Sequence, residues 1–152
     1  MVEILITKSQ KRLVLKENGS ILKEFQIGIG KNENGHKYEE GDLKTPEGEY
    51  FVCVKNPKSK YHLSLGLNYP NNNDAREAYI SKRIDIATFQ SICMANDNGH
   101  IPPWNTCLGG AIYIHGDLET KDWSEGCIRL VKEDIEYIFE KASVGTKVVI
   151  EP

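Results

Sequence analysis

Alternating apolar and polar residues, with many β-branched side chains, predict strands towards both ends of the chain. The segments with this pattern are residues 2–6, 12–16, 21–29, 49–55, 111–115 and 147–150. The second and third segments are separated by Asn18-Gly19, a dipeptide typical of tight hairpin turns because both residues tolerate positive φ. The chain therefore begins with strands joined by a hairpin.

Helical patterns are confined to the middle and the C-terminal part of the chain. Residues 74 to about 98 have few strand signals, and their apolar spacing predicts two short helices, with Asp74 as the N-cap of the first. Four later apolar residues are spaced i, i+3, i+4 and i+7: Ile135, Ile138, Phe139 and Ala142. This spacing predicts an amphipathic helix that begins near Lys132.

These patterns predict a mainly β fold with about three short helices, two of them in an insertion before the strand 111–115. The insertion either packs on the flank of the sheet or borders a functional site. Residues 1–152 have the usual length of a single domain.

Composition narrows the function classes. The chain has 39% hydrophobic and 27% charged residues and a net charge of −3. This composition is typical of globular proteins. It has no basic run to support nucleic-acid binding, and no apolar stretch approaches the roughly 18 residues of a membrane span. Met1 leads directly into the first predicted strand, so the sequence shows no signal peptide.

The four cysteines, Cys53, Cys93, Cys107 and Cys127, lack the close pairing of zinc ligands, so no metal site is predicted. Burial is the default expectation for the first three. We expect Cys127 to stay reduced, because the residues around it are those of a cysteine nucleophile and a nucleophile must stay free.

The segment 111–130 combines the residue types that acyl transfer needs. His115 ends a predicted strand, Gly116 follows it, and Ser124-Glu-Gly-Cys127-Ile-Arg129 comes after a polar loop. A thiol needs a nearby base to become a thiolate near neutral pH, and an imidazole on an adjacent element can supply it. Backbone N–H groups around a glycine can then bind the oxyanion of an attacked carbonyl. Taken separately, the cysteine could be a small core residue and the histidine a structural one.

This segment resembles the signature of the L,D-transpeptidases (YkuD-type domains), which remodel bacterial peptidoglycan. Residues 41–50, Gly-Asp-Leu-Lys-Thr-Pro-Glu-Gly-Glu-Tyr, are similar to the G-D-x-x-T-P-x-G-x-[FY] stretch of the same family. Residues 65–70 and 108–110 also resemble segments from one branch of it. The resemblance implies a β-sandwich fold and a location in the cell envelope, either the periplasm or the cell wall. Either a signal was removed and replaced by an engineered Met, or the protein leaves the cytoplasm by another route.

The resemblance also implies roles for individual residues. Cys127 matches the nucleophile and His115 its base, while Gly116 matches the position whose carbonyl orients that histidine. Gly126 and Cys127 match the backbone N–H donors of the oxyanion hole. Ser124 matches a Ser/Thr position, and we expect it to shape the loop by hydrogen bonding.

Arg129 is a candidate for substrate binding. If residues 127–129 are extended, the side chains of Cys127 and Arg129 project from one face. A guanidinium there would favour the thiolate and could bind a substrate carboxylate, whereas the alternative is an exposed surface cation. The next helix is predicted about five residues beyond Cys127, too far for its dipole to activate the thiol.

The loop beside these residues is acidic. It contains Asp117, Glu119, Asp122 and Glu125, the last at a position where the family often has His. As a hypothesis, these carboxylates attract a cationic acceptor amine; otherwise they form an ordinary solvated loop. The loop is also shorter than in many family members.

The reaction implied by the resemblance is a two-step acyl exchange on peptidoglycan stem peptides. The Cys127 thiolate attacks a tetrapeptide stem and expels D-alanine; a second stem then resolves the thioester in a 3→3 cross-link, or water resolves it in L,D-carboxypeptidase activity. No cofactor or metal is implied, and carbapenems would acylate the same cysteine. A non-catalytic wall-binding module is the alternative, whereas an NlpC/P60-type endopeptidase would usually have Cys before His.

Overall fold

Strands dominate the computed structural model, which describes residues 1–60 and 62–152. The elements in chain order are β1 (Val2–Thr7), a 3₁₀ turn (Lys8–Gln10), β2 (Arg12–Glu17), β3 (Ser20–Gln26), β4 (Ile29–Gly30), β5 (Gly48–Ser59), β6 (His62–Leu67), α1 (Asn72–Ile80), α2 (Ile86–Asp97), β7 (Tyr113–His115), β8 (Trp123–Ser124), β9 (Ile128–Arg129), α3 (Lys132–Lys141) and β10 (Lys147–Glu151). The predicted fold class is confirmed: the chain is mainly β with three helices, two of them inserted between β6 and β7.

Eight of the described strands form one curled sheet in the order β3-β2-β1-β10-β5-β6-β7-β9. Strands β1 and β10 pair in parallel, as do β7 and β9, and the other neighbours in the sheet are antiparallel. The short strands β4 and β8 form a separate parallel pair. This pair brings the loop that precedes Cys127 against the segment that follows β3.

The main core lies on the inner face of the sheet. Helix α3 contributes Ile135 and Ile138, both fully buried, to the cluster formed by the strands. Full burial of such a side chain stabilises the fold by roughly 1.5–3 kcal/mol. Helices α1 and α2 enclose a smaller cluster of their own: Ala75, Ala78, Ile92 and Leu108.

The first inserted helix begins three residues earlier than the sequence predicts. Its N-cap is Asn71, not Asp74. The Asn71 side chain accepts a hydrogen bond from the Asp74 N–H at 2.8 Å, and the Asp74 carboxylate accepts one from the Asn71 N–H at 2.9 Å. Because this is a reciprocal capping box, both residues favour the helix start, and only the geometry shows which one is the cap.

Two predicted strands are shorter in the structure. The strand predicted for residues 21–29 stops at Gln26, because Gly28 pairs with Arg129 and Ile29 pairs with Trp123 instead of continuing along β2. The strand predicted for 111–115 begins only at Tyr113, since Ala111 adopts a left-handed φ of 55°. Strand β6 was not predicted. The Asn18-Gly19 turn is confirmed, with left-handed φ at both residues.

Candidate active site

Strands β6, β7 and β9 carry the candidate site on the face opposite the main core. Ser64 is in register with His115, which is in register with Arg129. Their neighbours Leu65, Ile114 and Ile128 are fully buried in the core. Because successive side chains in a strand point to opposite faces, the three polar residues share the other face.

Cys127 and His115 line the same cavity, which has a volume of about 460 Å³. The rest of its lining comes from Ala111 and Tyr113, from Ser64, and from the end of β5 and the turn after it: Asn56, Lys58, Ser59 and Lys60. A larger cavity, of about 940 Å³, lies beside the loop between α1 and α2, and neither Cys127 nor His115 lines it. The cavity at Cys127 is therefore the candidate active site.

His115 is held as a neutral imidazole. The residue is only 2% exposed, and its Nδ1 lies 2.6 Å from the carbonyl oxygen of Gly116. Because a carbonyl only accepts hydrogen bonds, Nδ1 carries the proton and Nε2 carries the lone pair. Burial lowers the pKa of His115 and the Arg129 cation lowers it further, although the bond to Gly116 acts in the opposite direction. The imidazole can therefore act as a base at neutral pH.

Cys127 is a thiol at rest. Its Sγ accepts a hydrogen bond from the Tyr113 N–H at 3.4 Å and lies 3.5 Å from the Ala111 carbonyl oxygen. Burial raises the pKa of Cys127, while the Tyr113 N–H and the Arg129 charge lower it less strongly. Arg129 thus favours the thiolate, as the sequence predicts, but burial outweighs it. Both shifts favour a thiol and a neutral imidazole over a preformed ion pair.

The loop before β9 is fixed by Ser124. Its hydroxyl donates to the Cys127 carbonyl at 2.5 Å and accepts from the Gly126 N–H at 3.0 Å. The Gly126 N–H, one of the two expected oxyanion donors, is therefore already engaged. The Cys127 N–H has no acceptor within residues 1–60 and 62–152. Only the second of the two expected donors is thus available to a ligand.

Arg129 is buried, so the interpretation of this residue as an exposed surface cation is wrong. It is 7% exposed, and its Nη1 donates to the Asp117 carbonyl at 3.2 Å and to Asp117 Oδ2 at 3.3 Å. The Thr120 hydroxyl and then Arg129 lower the pKa of Asp117. Asp117 therefore holds Arg129 in place, whereas Glu119, Asp122 and Glu125 are exposed.

The other cysteines differ in their surroundings. Cys53 is buried, as expected, and burial raises its pKa to about 11. Cys93 is half-buried, and Cys107 is exposed, contrary to the default expectation, because it lies in the open loop before β7. All four thiols are free.

In the part of the chain that the structure describes, no three His, Cys, Asp or Glu side chains gather as a metal site, and no helix could cross a membrane.

Comparison with known proteins decides the family. A family model for the L,D-transpeptidase catalytic domain, the YkuD domain, matches residues 2–150. The chain belongs to the L,D-transpeptidase family. The comparison with curated protein sequences gave no match.

Solved structures share this L,D-transpeptidase fold. The helical cell shape determining protein Pgp2 from Campylobacter jejuni is 26% identical with a TM-score of 0.66; the match covers 99% of this chain and 47% of Pgp2. Bd1075 from Bdellovibrio bacteriovorus is 24% identical with a TM-score of 0.64, and the match covers 98% of this chain and 47% of Bd1075. An L,D-transpeptidase from Mycobacterium smegmatis is 12% identical with a TM-score of 0.61, and the match covers 99% of this chain and 58% of that protein. The chain thus spans about half the length of these proteins.

Sequence reasoning missed two polar residues of this L,D-transpeptidase domain. The Ser64 hydroxyl is buried beside His115 and has no hydrogen-bond partner in the described part of the chain. Its signal was a polar residue within the apolar run 63–67. Thr45 lies in the motif at residues 41–50 that carries part of the resemblance, yet the sequence alone assigns it no role.

Proposed function

We propose that this domain is a cysteine-dependent L,D-transpeptidase that acts on peptidoglycan tetrapeptide stems. The observation that carries the proposal is the cavity shared by Cys127 and His115, with the His115 Nδ1 bonded to the Gly116 carbonyl. This bond leaves Nε2 as the basic nitrogen, which a general base for the thiol requires. Family membership supports the substrate class, and action on peptidoglycan would place the protein in the cell envelope.

The first step acylates the thiol. The Cys127 sulfur attacks the carbonyl of the third stem residue, and the thiol proton passes to His115 Nε2. Because the resting pair is neutral, this proton transfer accompanies the attack. The Cys127 N–H stabilises the resulting oxyanion. Collapse breaks the peptide bond, and His115 gives its proton to the amine of the departing D-alanine.

The second step releases the acyl group. A side-chain amine of a second stem attacks the thioester carbonyl and loses a proton to His115, which returns it to the Cys127 sulfur as the carbon–sulfur bond breaks. The product is a 3→3 cross-link. If water attacks instead, the product is a tripeptide stem with a free carboxylate, and the enzyme is an L,D-carboxypeptidase.

Arg129 is proposed to support substrate binding and charge within the site. Arg129 is in register with His115, and its charge partly offsets the rise that burial causes in the pKa of Cys127. Asp117 accepts hydrogen bonds from Nη1 of the Arg129 guanidinium, so a substrate carboxylate would bind the guanidinium beside Asp117 or displace it. Among the acidic residues of the loop, Glu119, Asp122 and Glu125 are exposed and remain candidates for attracting an acceptor amine.

Mass analysis of a purified disaccharide-tetrapeptide incubated with the protein tests this function. Cys127→Ala and His115→Gln serve as controls. Cross-linked dimers that form only with the wild type would support transpeptidation, and tripeptide with free D-alanine would support the carboxypeptidase. If the wild type leaves the substrate untouched but binds peptidoglycan, the wall-binding module replaces both proposals.

A further inference from the structure

Thr45 connects the turn before β5 to the loop that carries the thiol, across 81 residues of sequence. The residue is fully buried. Its Oγ1 donates to the Gly126 carbonyl oxygen at 2.8 Å and accepts from the Gly30 N–H at 2.9 Å. A threonine hydroxyl has one proton, and here it is directed to Gly126 because the Gly30 N–H occupies the acceptor side. The orientation of the hydroxyl is therefore fixed.

The Gly126 carbonyl belongs to the same planar peptide unit as the Cys127 N–H, and the two groups point in opposite directions. A hydrogen bond that holds this carbonyl therefore also sets the direction of the N–H. Gly126 has a left-handed φ of 144°, and a glycine offers little steric resistance to rotation of the following peptide. The peptide thus depends on a partner such as Thr45 for its orientation.

The surroundings of Thr45 hold it in position. The Lys8 ammonium donates to the Thr45 carbonyl oxygen at 2.8 Å. A Cβ built on Gly30 would lie 2.4 Å from the Leu43 carbonyl oxygen, so the turn at Thr45 packs directly against β4. At the other end, Ser124 engages the Gly126 N–H and the Cys127 carbonyl. Both groups that flank the Gly126–Cys127 peptide are thus anchored as well.

We propose that Thr45 is a positioning residue for acyl transfer: its hydroxyl holds the Gly126–Cys127 peptide so that the Cys127 N–H binds the oxyanion. The inference rests on the proposed function. It assigns the oxyanion contact to the Cys127 N–H, since the Gly126 N–H is bonded to Ser124. The alternative is that Thr45 is only a packing residue, whose loss would disturb the whole site.

Two matched pairs of variants separate these alternatives. Thr45→Val keeps the shape and removes the hydroxyl, while Thr45→Ser and Thr45→Ala differ from each other only by the hydroxyl. For each variant, kcat and KM are measured for release of D-alanine from the tetrapeptide. The rate of Cys127 alkylation by iodoacetamide is measured in parallel, because this substitution at a saturated carbon forms no oxyanion.

We expect Thr45→Val to lower kcat by about 10–100-fold, somewhat less than the loss of a whole oxyanion donor, with KM and the alkylation rate within about twofold of wild type. Thr45→Ser should retain most of the activity and Thr45→Ala should not. If Thr45→Val does not fold, the comparison of Ser with Ala decides the question.

Wild-type kcat in the Val variant, or equal activities for Ser and Ala, would overturn the proposal. Parallel losses of acyl transfer and alkylation would also overturn it, in favour of a packing role. A wild-type protein that releases no D-alanine contradicts the proposed function itself, and the role of Thr45 with it. A failure of the Thr45 variants alone leaves the proposed function standing.

Discussion

Lys8 is a buried lysine whose removal should strongly destabilise the domain. It is 2% exposed, and its Nζ donates to the carbonyl oxygens of Gly35 and Thr45, both at 2.8 Å, and to Glu47 Oε2 at 3.0 Å. A hydrogen bond to a charged group contributes about 1.5–3 kcal/mol. Glu47 is partly exposed and can regain water, whereas the Thr45 carbonyl cannot. We therefore expect Lys8→Met to lower the free energy of unfolding by about 3–5 kcal/mol.

Urea unfolding followed by circular dichroism measures this loss. With an m-value of about 1–3 kcal/mol/M, the midpoint should fall by at least about 1 M while m stays unchanged. Lys11→Met is the matched control, because Lys11 pairs with Glu33 at the surface, where their side chains are 46% and 52% exposed. Such a pair contributes less than about 1 kcal/mol. Equal midpoints for the two variants would refute the view that the buried ammonium holds the turn at Thr45.

Further predictions concern pH and the loop that carries the thiol. The pKa of His115 is lowered in the folded protein, so its contribution to stability is present above pH 6.5 and is lost as the pH falls below that value. Between pH 7.5 and pH 5, the free energy of unfolding should therefore decrease less for His115→Gln than for wild type. Unfolding curves recorded across this pH range measure the difference. Because burial raises the pKa of Cys127, its alkylation by iodoacetamide should reach half of its maximal rate above pH 9, and a midpoint near 7 would contradict the neutral resting pair. Ser124→Ala removes two hydrogen bonds, so it should lower the free energy of unfolding by about 1–3 kcal/mol and slow the release of D-alanine. Ser124→Thr keeps the hydroxyl and should retain the stability and the activity. Thermal unfolding measures the first effect and a D-alanine assay the second.

Local patterns predicted elements well where burial follows the period of the element. Ile135 and Ile138 mark the buried face of α3 because residues three apart lie on one side of a helix. The boundaries were less predictable. Asn71 and Asp74 both have good capping side chains, and Gly28 leaves the path of β3 because a distant residue, Arg129, offers it a partner.

In the candidate site, too, residues close together in sequence were predictable, whereas contacts between distant residues were not. His115 and Cys127 lie within one short segment, so the sequence alone could associate them. Thr45 and Lys8 make contacts that span 81 and 37 residues, and the local sequence predicts neither contact, although Thr45 lies within the motif at residues 41–50. The burial of Arg129 also depends on tertiary structure, because Asp117 meets it only after the loop has folded back.

The position of β10 has a consequence for how the molecule is made. Within the eight-stranded sheet, β10 lies between β1 and β5, so residues 147–151 join β1, β2 and β3 to β5 and the strands beyond it. Pairing elements that are so far apart along the chain is slow, because closing a long loop has an entropic cost before any contact repays it. The eight-stranded sheet therefore becomes continuous only after residues 147–151 have been synthesised and have entered between β1 and β5.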